Sequence, residues 1–292
     1  MAAGCIAVRL VDSPNCTTDT AGDTMNDKAV DDQELAKWDP EFTKLLGSVV
    51  APLVKRWFRA EVRGMENVPP VGGALMVSNH SGGVLTPDVL VLGPAFYDKF
   101  GYDRPLYTLA HYFIFFTPFR AYLGRLGVVH ASREKAAEAL HSGAVVLAFP
   151  GGDYDAFRPT LTQNVIDFDG RTGYVRTAIE AGVPIVPAVS IGGQETQLFV
   201  TRGTWLAKRL GLPRLRAEIM PLTIGFPFGM SVFFPANFPL PTKIIYQVLE
   251  PIDIVAQFGE DPDVDEVDAH VRSVMQTALD RLGRQRRFPV LG

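Results

Sequence analysis

The chain has 292 residues, 47% of them hydrophobic and 21% charged, enough apolar side chain for one large core or two small ones, which excludes a disordered or fibrous chain. A formal net charge of -4 argues against a nucleic-acid partner, because phosphate backbones are held chiefly by clustered Lys and Arg. Cys5 and Cys16 are the only cysteines, so no zinc ribbon, Cys-x-x-Cys redox pair or disulfide framework can be built, and a reducing, cytosol-facing location is expected.

Residues 1–40 set eight acidic side chains against Arg9, Lys28 and Lys37 and read as a solvated, disordered acidic tail. Asp12, Asp19 and Asp23 interrupt any apolar stretch that a secretory signal would need. From Glu41 the pattern changes. Leu45, Leu46, Val49, Val50, Leu53, Val54, Trp57 and Phe58 recur at helical spacing, with Lys44, Lys55, Arg56 and Arg59 among them. This predicts an N-terminal amphipathic basic helix, which either packs on the core or lies on an anionic lipid surface.

Beyond it, short apolar runs alternate with helical ones. The pattern predicts strands at 74–78, 106–110, 144–149, 185–190 and 244–249, with helices after Thr86, after Ser132, and over 172–181 and 264–282. Gly143 and Gly182 fall where helices would end, at positions that favour left-handed backbone. The expected fold is α/β, a mixed central sheet flanked by helices, in one domain over residues 41–292. The longest uncharged run, Ile219 to Thr242, could cross a bilayer by length, but Pro221, Pro227, Pro235, Pro239 and Pro241 would each remove a helical hydrogen bond. It reads first as an internal packed segment, with a bilayer-touching surface as the sharper alternative.

Two segments carry chemistry. In Ser78-Asn79-His80-Ser81-Gly82-Gly83-Val84-Leu85-Thr86-Pro87-Asp88, a strand ends at a histidine, glycines allow a tight turn, and a Thr-Pro-Asp helix start brings in a carboxylate. A carboxylate that holds one imidazole N–H leaves the other nitrogen to take a hydroxyl proton. The same residues also fit a plainer reading, in which Asp88 complements a helix dipole and His80 is merely hydrogen-bonded. In Phe149-Pro150-Gly151-Gly152-Asp153-Tyr154-Asp155-Ala156-Phe157-Arg158, two glycines after a strand permit close approach to a substrate, and Arg158 either pairs with a phosphate or carboxylate or simply faces solvent.

Five ordered blocks between about residues 60 and 190 then resemble one family: Glu61-Val-Arg-Gly-Met-Glu-Asn-Val-Pro-Pro, Gly-Gly-Ala-Leu-Met-Val-Ser-Asn-His80, Gly127-Val-Val-His-Ala-Ser-Arg133, Phe149-Pro-Gly-Gly152 and Val183-Pro-Ile-Val-Pro187. In this order they resemble the glycerolipid acyltransferase superfamily, which includes lysophosphatidic acid acyltransferases and a branch of monoacylglycerol and diacylglycerol acyltransferases. The resemblance implies an α/β acyltransferase, peripheral on the cytoplasmic face of a membrane. Acyl-CoA or acyl carrier protein would be the donor and a glycerolipid the acceptor, with no metal or other cofactor.

Within that likeness, His80 and Asp88 stand as catalytic residues and Arg133, Phe149, Pro150, Gly151, Gly152 and Arg158 as substrate-binding ones. The sequence departs from the family pattern twice. The usual motif has His, four residues and Asp, whereas the fifth residue after His80 is Leu85. The usual Phe-Pro-Glu-Gly is Phe149-Pro-Gly-Gly152, closer to the monoacylglycerol branch. Arg133 and Arg158 make a lysophospholipid the expected acceptor, in glycerolipid synthesis, and the missing Glu leaves a mono- or diacylglycerol as the alternative. A non-catalytic lipid-binding protein is the alternative of another class. A serine hydrolase is disfavoured, because Ser81 and Ser190 both lack the first glycine of a nucleophile elbow.

Overall fold

The computed structural model describes residues 34–111, 114–115, 120–162, 164–215, 218–232, 235–286 and 288. Helix α1 (Pro40–Trp57) starts at Asp39, whose carboxylate accepts the Phe42 N–H at 2.9 Å, and Pro40 suits a first turn that needs no N–H. Leu45, Val49, Leu53 and Trp57, four residues apart, form one exposed stripe, while Val54 and the following Phe58 pack on the core. The acidic tail expected over residues 1–40 lies outside the described residues as far as residue 33. From Leu35 the chain is packed: Trp38 lies against the core, and the Tyr107 hydroxyl donates to the Leu35 carbonyl at 3.0 Å.

After α1 come β1 (Glu61–Arg63), β2 (Ala74–Ser78), α2 (Pro87–Phe100), β3 (Leu106–Ala110), α3 (Arg120–Arg125), β4 (Val128–His130), α4 (Arg133–His141), β5 (Val145–Ala148), α5 (Gly152–Ala156), α6 (Gly173–Ala181) and β6 (Ile185–Ile191). An inserted segment follows, with β7 (Leu198–Thr201), α7 (Thr204–Arg209), β8 (Leu222–Gly225) and β9 (Gly229–Ser231). The chain returns as β10 (Ile245–Val248), α8 (Ile254–Phe258) and α9 (Val264–Gln285).

Seven strands make the central sheet in the order β1-β10-β6-β2-β5-β3-β4. The five from β6 to β4 run parallel, β10 is antiparallel to β6, and β1 is parallel to β10, so the sheet is mixed. Every residue of β2, β5 and β6 is buried, as continuous apolar runs require when helices cover both faces of a sheet. On one face lie α4, α6 and α9, the last through Val267, Val271, Met275, Leu279 and Leu282 at spacings of four and three. On the other lies α2, through Val91, Leu92, Phe96 and Tyr97. Gly143 and Gly182 adopt φ of 86° and 62° where α4 and α6 end, the left-handed conformation that lets each helix stop and feed the next strand.

The strands expected at 74–78 and 106–110 coincide with those observed, the one at 185–190 runs one residue further, and those at 144–149 and 244–249 are one residue shorter at each end. Strands β1 and β4 went unanticipated because three residues carry no readable period. The run 219–242 is packed on one side only, through Ile219, Thr223, Ser231, Asn237 and Thr242. It supplies β8 and β9, which with β7 form a separate antiparallel sheet, and Phe226, Phe228, Met230 and Phe238 stand in solvent. The physical reason is that the described residues cover only one face of this small sheet. Among the described residues no helix is long and apolar enough to cross a membrane.

Candidate active site

Because β2, β3, β4, β5 and β6 share one direction, the loops after them open on a single edge of the sheet, where α/β proteins gather ligands. Asn79 fixes the end of β2: its side chain donates to the Ser190 carbonyl at 2.9 Å and accepts the Ser190 N–H at 2.8 Å. His80 follows. Gly82 and Gly83 then take φ of 83° and 66°, a single 3-10 turn spans Gly83–Leu85, and Thr86 at φ 39° starts α2. Gly82 has to be glycine, since a Cβ there would stand 2.4 Å from the Pro87 ring.

The extra turn absorbs the three residues by which this loop exceeds the family spacing, and it brings Asp88 back to His80. His80 Nδ1 lies 2.7 Å from Asp88 Oδ2, and the Ser81 N–H donates to the same oxygen at 2.8 Å. Asp88 is wholly buried. In the neutral imidazole the proton therefore sits on Nδ1, toward the carboxylate, and Nε2 is the basic nitrogen. The Phe149 ring stacks on His80 at 4.3 Å between centroids.

The second turn reaches back to the first. Asp155, on α5, accepts the His80 backbone N–H at 2.7 Å through Oδ2, while its Oδ1 accepts Arg158 Nε and Nη2 at 3.2 and 3.1 Å. Gly151 makes room for this, because a Cβ there would lie 2.6 Å from Asp155 Cβ. Gln194, after β6, ties the turns together by accepting the Gly82 N–H at 2.8 Å and donating to the Arg158 carbonyl at 2.7 Å. Burial opposes a charged His80, but the Asp88 carboxylate, by its charge and its hydrogen bond, with Asp155 and Asp153 beyond it, outweighs burial and raises His80 above its ordinary 6.5. Burial pushes Asp155 up to about 6, against the opposing pull of Arg158 and the His80 N–H.

Of the residues singled out in the sequence, the fold gathers His80, Asp88, Phe149, Pro150, Gly151, Gly152 and Arg158 at one place. Arg158 does not meet the expectation of a substrate anion ligand. It is 5% exposed, and its guanidinium is committed to Asp155 and to the Asp167 carbonyl at 3.2 Å, so a phosphate would have to displace a carboxylate already in place. Arg133 is exposed as the first residue of α4. Its strand β4 is three places from β2, about 14 Å at the usual strand spacing. Asp155 and Gln194 went unrecognised. Asp155 is one of two acids in its turn, with Asp153, and only the fold shows that its carboxylate faces the His80 backbone.

The backbone N–H groups of His80, Ser81, Gly82 and Gly152 are all committed, to Asp155, Asp88, Gln194 and the Phe149 carbonyl. Ser81 Oγ and Ser190 Oγ are buried without a hydrogen-bond partner, so neither is held by an imidazole as a hydrolase nucleophile would be. The site thus offers one basic nitrogen, steadied by a buried carboxylate, at the mouth of a glycine-lined turn.

A family model described as Acyltransferase matches residues 59–191. An uncharacterised protein of Mycobacterium tuberculosis is 34% identical over 259 residues, which cover 86% of this chain and 69% of that one. A Bos taurus protein named "DGAT1/2-independent enzyme synthesizing storage lipids" is 28% identical over 80% of this chain and 67% of its own. The crystal structure of a 1-acyl-sn-glycerophosphate acyltransferase from Thermotoga maritima matches with a TM-score of 0.49 and 17% identity over 80% of each chain. The five ordered blocks, the matched family model and the mycobacterial and bovine sequences agree: the chain belongs to the glycerolipid acyltransferase superfamily and is an acyltransferase.

Proposed function

We propose that the protein moves a fatty acyl group from a thioester donor, acyl-CoA or acyl carrier protein, to the hydroxyl of a mono- or diacylglycerol, working peripherally on the cytoplasmic face of a membrane. The 2.7 Å contact between His80 Nδ1 and Asp88 Oδ2 carries this reading. His80 Nε2 takes the hydroxyl proton as the oxygen attacks the thioester carbonyl. The C–S bond breaks, the ester forms, and the leaving thiolate receives the proton from His80. Asp88 is a positioning residue that holds the ring in one tautomer and stabilises the imidazolium between the two transfers.

The charges around His80 support a neutral acceptor. Asp88 acts on it by its charge and its hydrogen bond, so a phosphate beside Nε2 would be repelled by that carboxylate, and Arg158, the cation expected to hold the phosphate, is already paired with Asp155. A relative named for synthesising storage lipids points the same way. Arg133 favours a second reading, a lysophospholipid whose phosphate reaches the α4 end of the edge. The exposed stripe of α1, with Lys55 and Arg56 in its last turn, supports attachment to the membrane surface.

The test is transfer from radiolabelled oleoyl-CoA to monoacylglycerol, diacylglycerol and lysophosphatidic acid, each in mixed micelles. The expected result is a higher kcat/KM for a glyceride. Turnover on lysophosphatidic acid alone overturns the neutral acceptor, and no transfer to any of them in a folded protein, with either donor, overturns the enzyme reading.

A further inference from the structure

The inserted segment between β6 and β10 builds a surface that the site does not use. In its three-stranded sheet the side chains alternate between faces. The cross-strand row Phe199, Thr223 and Ser231 is buried, whereas the adjacent row Leu198, Ile224 and Met230 is exposed at every position. At the hairpin end, Phe226 bridges to Phe238, and Phe226, Phe228 and Phe238 are 72, 55 and 66% exposed.

This face is built rather than loose. Asn237, wholly buried, accepts the Phe228 N–H at 3.1 Å and donates to the Gly229 carbonyl at 2.9 Å and to Ser231 Oγ at 3.1 Å. Gly225 has no room for a side chain, because a Cβ would meet Asn237 Cβ at 2.8 Å. The display also continues into α1: Trp57 Nε1 donates to the Pro239 carbonyl at 3.0 Å, so the end of the exposed helical stripe meets the aromatic hairpin.

Charge identifies the occupant. Residues 198–240 carry five Lys or Arg and a single acid, Glu218, in a chain whose net charge is -4; Arg202 is turned onto Tyr154, whereas Lys208, Arg209 and Arg214 are exposed. An apolar, aromatic face in a locally basic segment is complementary to a bilayer with anionic headgroups, where rings seat at the interface and cations meet the lipid charge. We infer that the outer face of the three-stranded sheet, led by Phe226, Phe228 and Phe238, docks on an anionic lipid bilayer as a second anchor beside α1. This rests on the membrane attachment proposed for α1 and holds whichever hydroxyl is acylated, and the binding itself is measured without substrate.

The experiment measures full-length protein on phosphatidylcholine vesicles with and without phosphatidylglycerol, by sedimentation and by amide hydrogen exchange. The triple change Phe226→Ser, Phe228→Ser and Phe238→Ser should weaken binding roughly tenfold or more, given the apolar area removed. The thermal midpoint and the turnover on micellar substrate should stay at parental values. In the parent, phosphatidylglycerol vesicles should slow exchange within residues 222–231, an observation that stands even if the triple variant fails to fold. Equal binding by a folded triple variant, or no added protection at 222–231, overturns the inference. So does a parent that is dimeric in solution and falls to monomer in the milder variant Ile224→Thr with Met230→Gln, because the face would then belong to a second copy of the chain.

Discussion

In the seven-stranded sheet every residue of β2, β5 and β6 is buried, and at its ligand edge the backbone of the His80 turn is tied to Asp88, Asp155 and Gln194. In the three-stranded sheet alternate residues of β7, β8 and β9 stand in solvent. The difference separates two kinds of sequence constraint. On the first sheet a side chain is fixed by core packing or by a partner with no substitute, so a change there should damage chemistry or stability. On the outer face of the second, a side chain belongs to no core, so a change should leave both intact and alter only what the surface touches.

The most severe break should come from His80→Ala. General-base catalysis contributes about 10² to 10⁴-fold, and the variant should lose turnover by that factor in a single-turnover assay. Its fold should persist, since the backbone N–H that Asp155 holds remains. Parental turnover in a folded variant would remove His80 from the chemistry and reduce the contrast between the sheets to packing alone.

Next is Arg158→Ala, which leaves the Asp155 carboxylate buried without its guanidinium. Stranding one member of a buried ion pair costs about 3–5 kcal/mol, to be read as a shift in the urea midpoint. The loss should be largest above pH 6. Asp155 has a folded pKa of about 6 against an ordinary 3.8, so its protonated form is the one the fold tolerates, and its favourable contribution at low pH disappears as pH rises through that value. Unchanged stability with a raised KM for a phosphate-bearing acceptor would restore Arg158 as a substrate ligand.

A finer probe is the pH profile. His80 must be neutral to act as base, and its pKa is raised, so kcat/KM should climb with an acid limb above 6.5. Asp88→Asn removes the main upward influence, leaving burial to dominate, and should move that limb to lower pH while cutting turnover by less than His80→Ala does. An unshifted limb with unchanged kcat would leave Asp88 as a helix-start residue alone.

How much of this the sequence reveals depends on how local the cause is. The core strands were legible because runs such as Ala74–Ser78 and Leu106–Ala110 are apolar from end to end. The His80–Asp88 pairing was legible too, since a turn rich in glycine and a Thr-Pro helix start leave few ways to fold eight residues. Arg158 was misread because, although its partner Asp155 is only three residues away, the burial that commits the pair comes from the contact of Asp155 with the His80 backbone, a long-range event that local spacing does not announce. The run 219–242 was misread for a related reason. Apolar composition reports that a surface avoids water and does not say whether the chain itself covers it, and here one face of the hairpin is left bare.

Arg133→Ala should have the smallest effect, and it decides between the acceptors. Arg133 is exposed and starts α4 at the sheet edge, about three strand spacings from β2, the strand that leads into His80. If the acceptor is a neutral glyceride, the guanidinium has no charge to meet there, and kcat/KM should change by less than about twofold, as for most surface substitutions. If it is a lysophospholipid, a charge-assisted bond to phosphate worth about 1.5–3 kcal/mol is lost. That is a fall of roughly tenfold to a hundredfold in kcat/KM for lysophosphatidic acid, with transfer to monoacylglycerol spared. Measuring both acceptors on one variant separates a change in the shared machinery, which lowers both, from a change in headgroup recognition, which lowers one. A selective tenfold loss on lysophosphatidic acid would move the acceptor assignment to the phosphate-bearing lipid and make the α4 end of the sheet edge its headgroup site.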